Sequence, residues 1–271
     1  MRNAECGTRN DNMALAVRSF RTSRSALRTR SAFTLIEIAI CLAIIGFALV
    51  AIIGVLPIGM SAQRVNREQT VINQDASVLM EAIRGGAHGL DYLTNYVYAV
   101  TNYRAFYSGG TYQNSPTVGW TTGPGGYLYS GADIVGILST PQFTDNTGNP
   151  LAFLPNTGYS NHIIAYVRSI SGLAAEKPPQ DNQIMREDTF TYRLYCVNAP
   201  GAVPLGSPVG SFGGQLLGNQ RELRLTFLWP QLPNGKVGGG HQTFRATIAG
   251  QLTRTNGFFY YYQPQSFTNT P

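Results

Sequence analysis

The sequence is poor in charge. Aspartate, glutamate, lysine and arginine make up only 13% of its 271 residues, about half the share of an average soluble chain. Hydrophobic residues reach 43% and aromatic residues 11%, which is too much for a disordered tail. The composition also excludes a coiled-coil rod and a polytopic membrane protein. The length suits one anchored domain of ordinary size, or two small ones.

Cysteine and histidine are scarce, with three of each. The three cysteines are Cys6, Cys41 and Cys196, and the three histidines are His88, His162 and His241. The cysteines fall in three different parts of the chain, which leaves no plausible disulfide or metal-binding cysteine cluster. The histidines lack the H-x-x-x-H and H-E-x-x-H spacings of metal sites, and His162 and His241 are expected at the starts of strands, where histidines are mostly solvated. The sequence predicts no catalytic residue, no cofactor and no metal site, and therefore no enzyme.

Positive charge is concentrated at the N-terminus. Residues 1–32 contain seven arginines against Glu5 and Asp11, whereas residues 33–271 contain 13 basic and 12 acidic residues. A basic segment directly before an apolar run is typical of membrane insertion with the N-terminus in the cytoplasm. The near-neutral remainder disfavours binding to nucleic acid, which requires clustered lysine and arginine.

The apolar run itself, residues 38–63, contains no charged side chain. It exceeds the roughly 20 residues that cross a bilayer as a helix, and it is longer than the roughly 7–15-residue core of a removable secretory signal. No A-x-A cleavage sequence follows it. We expect a retained single-pass helix in contact with membrane lipid, with the rest of the chain on the far side. Pro57 is predicted to kink this helix, because proline removes a backbone donor and clashes with the preceding turn.

A short motif stands at the start of the apolar run. Residues 30–37 read R-S-A-F-T-L-I-E, which places the Glu37 carboxylate at the edge of an otherwise uncharged helix. Buried carboxylates in lipid are costly and usually have a functional partner, although a glutamate at headgroup level costs little. The basic leader, the F-T-L-I-E sequence and the uncharged run together resemble the N-terminal signal of type IV pilins and type II secretion pseudopilins. The resemblance covers about residues 25–85.

This resemblance implies several roles. A membrane prepilin peptidase would cut between Ala32 and Phe33 and would N-methylate the new amino terminus of Phe33. Thr34, Leu35, Ile36 and Glu37 would act in assembly, with Glu37 meeting the positive N-terminus of a neighbouring subunit. An ammonium and a carboxylate in a low-dielectric bundle attract strongly and relieve each other's desolvation cost. The implied partners are other pilin or pseudopilin subunits, an inner-membrane assembly platform driven by a cytoplasmic ATPase, and secreted cargo.

The chain departs from the family pattern in two places. Ala32 stands where the family usually has glycine, which puts the rate of cleavage in doubt. The leader, at 32 residues, is also long, and translation from Met13 would leave a leader of more familiar size. The implied location is the bacterial inner membrane, with a cytoplasmic N-terminus and a periplasmic or extracellular C-terminal domain, and afterwards the filament.

Beyond Gln63 the helix is predicted to continue to Arg84 with one apolar face. The members of this face recur at spacings of three and four: Ala62, Val65, Gln69, Ile72, Ala76, Leu79 and Ile83. Arg84-Gly85-Gly86 predicts the end of the helix, because glycine readily takes the left-handed cap conformation. The predicted segments are a leader at 1–32, a membrane and assembly helix at 33–60, its amphipathic continuation at 61–86 and a β-rich domain at 87–271.

The β-rich domain is predicted to contain an antiparallel sheet of about four strands. The predicted strands are 162–168, 190–197, 222–229 and 242–253, with 233–240 connecting the last two as a hairpin loop. Residues 87–131 are expected to be irregular with short helical or strand pieces, and most of 198–220 is expected to be loop. The predicted fold class is α+β and pilin-like: one long N-terminal helix packed on an antiparallel sheet with long loops.

Three local stretches carry alternatives. Phe258–Tyr262 is either a last strand that closes the sheet edge or an exposed contact patch for another subunit. Residues 145–149, D-N-T-G-N, faintly resemble a calcium loop but lack the closing acidic residue, which favours a plain Asx turn. Glu176, Asp181, Glu187 and Asp188 are most simply a solvated acidic loop.

The sequence leaves three functions to compare. The leading interpretation is a structural pilin-like or minor pseudopilin subunit of a type II secretion or type IV pilus machine. The second is a signal-anchored binding module or enzyme that does not polymerise and holds a ligand between the loops at 105–131 and 198–220. The third is an adhesive or DNA-uptake pilin, which the near-neutral mature chain disfavours.

Overall fold

The structure is a computed structural model that describes residues 34–86, 92–122, 125–171, 190–201, 211–255 and 257–267. The chain divides into two compact units, residues 1–58 and residues 59–271. The described part of the first unit belongs to one long helix. The second unit contains the rest of that helix, an antiparallel sheet and several short elements. The predicted α+β class is confirmed.

Helix α1 spans Leu35–Gly85 and has 51 residues, with Pro57 inside it. These limits lie close to the predicted residues 33 and 84. In the first unit every described residue is exposed. Aliphatic side chains occupy all sides of the helix there, which is typical of a helix whose whole surface is covered by other protein or by lipid. At the C-terminal end, Gly86 has a φ of 70° and its N–H donates to the Ile83 carbonyl at 3.3 Å. A left-handed glycine therefore ends the helix in the predicted way.

In the second unit, α1 buries one face. Its buried residues are Ile72, Asp75, Ala76, Leu79, Ala82 and Ile83. The predicted face is correct from Ile72 onward. Three predicted members nearer the N-terminus are exposed instead: Ala62, Val65 and Gln69. The spacing of three and four residues begins at Ala62, whereas the buried face of α1 begins at Ile72.

The other elements follow in chain order. The helices are α2 (Leu93–Tyr96), α3 (Gly131–Leu138) and α4 (Phe212–Asn219). The strands are β1 (Val97–Ser108), β2 (Thr111–Asn114), β3 (Thr117–Thr121), β4 (Phe143–Thr144), β5 (Gly158–Arg168), β6 (Thr191–Pro200), β7 (Gln220–Gln231), β8 (Val237–Ala249), β9 (Gln251–Thr255) and β10 (Phe259–Gln263).

Eight strands form one antiparallel sheet. Its main order is β2-β1-β5-β6-β7-β8, with β3 also paired with β1 and β4 with β5. The side chains on one face of the sheet join the buried residues of α1 in a single hydrophobic core. The alternation of apolar residues in the predicted strand 222–229 places four of them on one face. The structure confirms this, since each of the four is at most 4% exposed: Leu223, Leu225, Phe227 and Trp229. This face is called the inner face below.

Several predictions about the sheet are corrected. Residues 97–108, expected to be irregular, form the long strand β1, because they are rich in tyrosine and valine and one side of the strand packs into the core. The strand predicted at 242–253 is two strands, β8 and β9, separated by Gly250 with a φ of 132°. His162 and His241 lie inside β5 and β8, not at their starts, and both are exposed. His88 lies outside the described residues.

The predicted loops also contain regular structure. Residues 105–121 contribute to β1, β2 and β3, and residues 212–219 form α4. Helix α3 begins with a capping box: the Ser130 hydroxyl accepts from the Asp133 amide, and the Asp133 carboxylate accepts from the Ser130 amide. The described residues of the two loops proposed to hold a ligand are therefore mostly in strands and helices. The acidic residues at 176–188 lie outside the described residues.

The aromatic C-terminal stretch is a strand, as one alternative predicted, but it belongs to a separate sheet. β10 pairs with β9 in a two-stranded sheet, so it does not close the edge of the main one. Tyr260 and Tyr262 are buried, whereas Phe258 is 63% exposed. The Tyr262 hydroxyl donates to Asn198 Oδ1 at 2.5 Å, and Asn198 Nδ2 donates to the Ser139 carbonyl at 2.6 Å. The stretch is thus largely a structural element of the core.

Candidate functional site at the start of the apolar helix

The first turn of α1 is organised by Thr34 and Glu37. The Thr34 backbone N–H and its hydroxyl both donate to Glu37 Oε2, each at 2.8 Å. In return the Glu37 backbone N–H donates to Thr34 Oγ1 at 3.4 Å. This reciprocal pattern is a capping box, which satisfies backbone donors that the start of a helix leaves without partners. The T-L-I-E sequence therefore specifies where the helix begins.

The same geometry leaves part of the carboxylate accessible. Both bonds from Thr34 end on Oε2, and no described residue donates to Oε1. Glu37 is exposed, as are its neighbours Leu35 and Ile36, at 86% and 65%. A cation that approaches from outside the chain can contact Oε1 without displacing the capping bonds. The site can thus serve as a helix cap and as a half of an ion pair at once.

The segment that follows is apolar on every side. The residues from Thr34 to Arg67 are all exposed, and none between Ile38 and Gln63 is charged. α1 is long and apolar enough to cross a membrane, and the sheet-containing unit follows it in the chain. The helix surface is open at Gly46, Gly54 and Gly59, since a methyl group added to any of them meets nothing within 4 Å. Small residues of this kind allow helices in membranes to approach closely.

The residues that would be processed lie outside the described part of the chain. These are Ala32 and Phe33, together with the leader at 1–32. Cleavage between them and methylation of Phe33 therefore stay predictions from the sequence. The kink at Pro57 also stays a prediction.

Metal-binding side chains do not cluster in the part of the chain that the structure describes. In the weakly calcium-like loop, Asp145 accepts hydrogen bonds from the Thr147 hydroxyl and the Asn149 amide, both at 2.7 Å. Partial burial opposes ionisation of Asp145, but these hydrogen bonds outweigh it and lower its pKa. The Arg254 guanidinium donates to the Thr147 carbonyl. A side-chain cation thus already contacts this loop, and the geometry is that of the Asx turn that the sequence favours.

Sequence reasoning misses a buried charged residue in α1. Asp75 is not a member of the apolar face predicted for α1, yet it is fully buried. Its carboxylate accepts from the Ile170 amide at 2.9 Å, the Ser171 amide at 2.7 Å and the Tyr192 hydroxyl at 3.0 Å. These donors lie 95 to 117 residues away in the sequence, so no local spacing indicates them. The bonds tie α1 to the end of β5 and to β6.

No protein-family model, curated protein or solved structure matches the chain.

Proposed function

We propose that this chain is a structural subunit of a filament of the type II secretion or type IV pilus kind, as a minor pseudopilin or related pilin-like protein. The observation that carries the proposal is the exposed, uncharged helix with Glu37 in its first turn. A long N-terminal helix followed by an antiparallel sheet is compatible with such a subunit. The chain itself performs no catalysis in this proposal.

The assembly step follows from the chemistry of the helix start. Prepilin peptidase removes residues 1–32 on the cytoplasmic side of the inner membrane and methylates Phe33, which leaves a positively charged amine. The amine of one subunit approaches Glu37 of the next, where Oε1 is accessible. The pair fixes the axial register of one helix against its neighbour, because each charge has its partner at only one position along the rod.

The remaining contacts follow from the same arrangement. The apolar helix exchanges membrane lipid for neighbouring helices, and a membrane platform with its ATPase supplies the work of extraction. The sheet-containing unit, on the periplasmic side, determines the position of the subunit and contacts other subunits or secreted cargo. Nucleic acid is not among the proposed partners.

The first test is the mass of the protein extracted from membranes of a host that contains a prepilin peptidase. We expect a chain that begins at Phe33 and carries one N-methyl group. The second test compares Glu37→Gln with Glu81→Gln, which makes the same chemical change on the exposed C-terminal part of α1. We expect both variants to be cleaved, and only Glu37→Gln to lose assembly into sheared or cross-linked filaments.

The outcomes separate the alternatives. A protein that keeps residues 1–32 contradicts the processing step. If Glu37→Gln assembles as well as Glu81→Gln, the carboxylate serves only as a helix cap. A processed or unprocessed protein that stays monomeric in every variant favours the signal-anchored module that does not polymerise.

A further inference from the structure

One end of the main sheet is a long strand with a single neighbour. The sheet order ends at β8, and among the residues that the structure describes only β7 pairs with it. The register of β8 against β7 is regular from Gly240 to Ala249. The opposite end of the sheet is different, because it consists of the short strands β2 and β3, which are separated by Ser115 and Pro116.

A backbone hydrogen bond shows which residues of β8 direct their polar groups away from β7. The Gly250 N–H donates to the Asn219 carbonyl at 2.8 Å, and the same register pairs Arg221 with Ile248. Opposed residues of an antiparallel pair alternate between hydrogen-bonded and non-hydrogen-bonded pairs. The even-numbered residues of β8 therefore bond to β7. The odd-numbered residues direct their N–H and C=O groups to the outer side, which we call the β8 edge: His241, Thr243, Arg245 and Thr247.

The other side of β7 gives the same assignment. The Gly201 N–H donates to the Gln220 carbonyl at 3.1 Å, so the even-numbered residues of β7 bond to β6 and its odd-numbered residues bond to β8. Each strand thus alternates consistently between its two sides. Among the described residues, no backbone group accepts from or donates to the β8 edge at residues 241–247.

The β8 edge also lacks the features that ordinarily prevent pairing with another chain. Natural edge strands are short, carry lysine or proline, contain bulges or are covered by a loop or helix. β8 has 13 residues, contains neither lysine nor proline, and has Arg245 as its only permanently charged side chain. A long and regular edge of this kind is a template for one more strand.

The inner face indicates the chemistry of such a strand. Phe244 belongs to this face, since its ring lies 5.5 Å from that of Phe227, measured between centroids. Phe244 and Ala246 are nevertheless only half-buried, whereas Leu225 and Leu223, which they oppose in β7, are fully buried. The core therefore stops short of the β8 edge. A strand with apolar side chains at alternate positions would cover this gap.

We propose that the β8 edge binds an extended segment of another protein as a further strand of the main sheet. In this mode of recognition, main-chain hydrogen bonds provide affinity and alternate side chains provide specificity. The segment carries apolar residues at every second position, and it has no proline at the positions whose N–H groups face β8. The inference does not depend on polymerisation, because the β8 edge belongs to the sheet and not to the apolar helix.

A second copy of the chain is a poor occupant through its own β8. Antiparallel pairing of two copies requires a two-fold axis perpendicular to the sheet. Because α1 lies along the inner face over residues 72–83, this axis turns the two α1 helices in opposite directions, whereas helices that enter one membrane from the same side run in the same direction. Parallel pairing places the inner faces of the two copies on opposite sides, so it leaves Phe244 and Ala246 uncovered.

The opposite end of a second sheet is a poor occupant as well. The strands β2 and β3 have only four and five residues, so neither spans the β8 edge at residues 241–247. The Thr121 carbonyl at the end of β3 also already accepts from the Leu128 N–H at 3.4 Å. The added strand must therefore come from another protein.

The first test is hydrogen exchange of individual amides in the full chain in detergent micelles. The probe is a synthetic peptide of alternating valine and threonine, with a glycine–serine tag at each end and long enough to span residues 241–247. We expect excess peptide to slow exchange at the odd-numbered residues 241–247 by about tenfold or more. The amides of residues 242–248 with even numbers are an internal control, since β7 protects them with or without peptide.

The second test compares Thr243→Pro with Thr243→Ala. Proline removes one N–H from the β8 edge and its ring obstructs an added strand, but it removes no bond to β7. Alanine loses the same hydroxyl contact with Thr226, at 2.9 Å, and keeps the N–H. By fluorescence anisotropy of the labelled peptide, we expect about a tenfold or greater loss of affinity with proline and less than about a twofold loss with alanine.

Circular dichroism and thermal unfolding establish that each variant is folded, and hydrogen exchange of the wild type keeps the proposal testable if the proline variant is not. Four results would overturn it. The odd-numbered amides may not be protected before peptide is added, because such protection means that the chain itself covers the β8 edge. Unchanged exchange with excess peptide also contradicts the proposal, as does equal affinity of the two variants. The fourth result is self-association of the wild type that Thr243→Pro abolishes, which makes a second copy the occupant.

Discussion

Replacing Asp75 by alanine should destabilise the sheet-containing unit by about 3–5 kcal/mol. The buried carboxylate accepts hydrogen bonds from the Ile170 and Ser171 amides and from the Tyr192 hydroxyl. Alanine leaves these three donors buried without an acceptor, and each such donor costs about 1–3 kcal/mol. Three such donors would together cost about 3–9 kcal/mol. Alanine also removes a buried charge, which offsets part of this cost, so the expected loss of stability lies in the lower half of that range.

Two milder variants divide this cost. Asp75→Asn keeps one acceptor oxygen but turns an NH2 group toward one of the donors, so it should cost about 1–3 kcal/mol. Tyr192→Phe removes a donor and leaves the two backbone bonds to Asp75 in place, so it should cost about 1 kcal/mol. Denaturant unfolding in detergent, followed by the fluorescence of the buried Trp229, measures all three variants against the wild type.

The pH dependence gives an independent check. Burial raises the pKa of Asp75 above its ordinary value of about 4, although its hydrogen bonds act in the opposite direction. Between the ordinary and the raised pKa, the folded chain binds more protons than the unfolded chain, so stability falls as pH rises through that interval. Below about pH 4 both states are protonated and this contribution is fully present. Above the folded pKa it is lost.

The wild type should therefore lose stability relative to Asp75→Asn as pH rises from about 4 through the folded pKa. Unfolding free energies of both proteins, measured across that range, give the difference directly. An alanine variant that costs less than about 1 kcal/mol would show that the three hydrogen bonds are not what joins α1 to the sheet. Parallel pH profiles of the wild type and Asp75→Asn would show that Asp75 does not titrate in this interval.

Two further replacements test buried and strained positions in the sheet-containing unit. Arg221 is only 5% exposed, and its Nε and Nη1 atoms have no hydrogen-bond partner among the described residues. Arg221→Met should therefore increase the free energy of unfolding by about 1–3 kcal/mol and raise the midpoint of thermal unfolding. A lowered midpoint would mean that the guanidinium is paired. Gly148 has a φ of 92°, and a methyl group there would lie 2.6 Å from Arg254 Cζ; Gly148→Ala should cost about 1–3 kcal/mol. Gly239→Ala is its control, because a methyl group there meets nothing within 4 Å, and equal effects on thermal unfolding would contradict the strain.

The parts of the fold that the sequence predicts are those with one dominant period. The alternation of Leu223, Leu225, Phe227 and Trp229 predicts β7 and its buried face, because each inward position is apolar. The uninterrupted apolar run and the glycines after Arg84 predict the length of α1. In both cases the residues that form the local pattern are also the ones that define the element in the folded chain.

The missed elements have weaker or non-local signals. β1 has mixed polar and aromatic residues because only part of one side, including Val97 and Val100, is fully buried, so its alternation is incomplete. α3 carries a readable signal, the Ser130 and Asp133 capping box, before a short apolar run. Asp75 carries none, because an acidic residue on a helix ordinarily indicates the solvent side and its donors come from distant strands.

At the candidate site, too, only the local geometry can be predicted from neighbouring residues. The capping geometry of Thr34 and Glu37 follows from four consecutive residues, and it is complete within one chain. The proposed pairing of Glu37 with another subunit depends on a second molecule, to which the carboxylate offers Oε1, the oxygen that the capping bonds leave accessible. Sequence resemblance supplies that partner as a hypothesis, and the geometry of the monomer is compatible with it.

The two parts of α1 also need different surroundings. Residues 34–67 are exposed in their own chain, and leaving a large aliphatic side chain in water costs about 1.5–3 kcal/mol relative to burial. A bilayer removes this cost, but it provides no hydrophobic attraction between helices, because lipid tails are as apolar as leucine. In the proposed filament, apolar area alone therefore cannot favour assembly over lipid. The proposal assigns that preference to close packing at residues such as Gly46 and Gly54 and to the charge of Glu37. Removing that one charge is therefore a sharper perturbation of assembly than shortening an aliphatic side chain beside it.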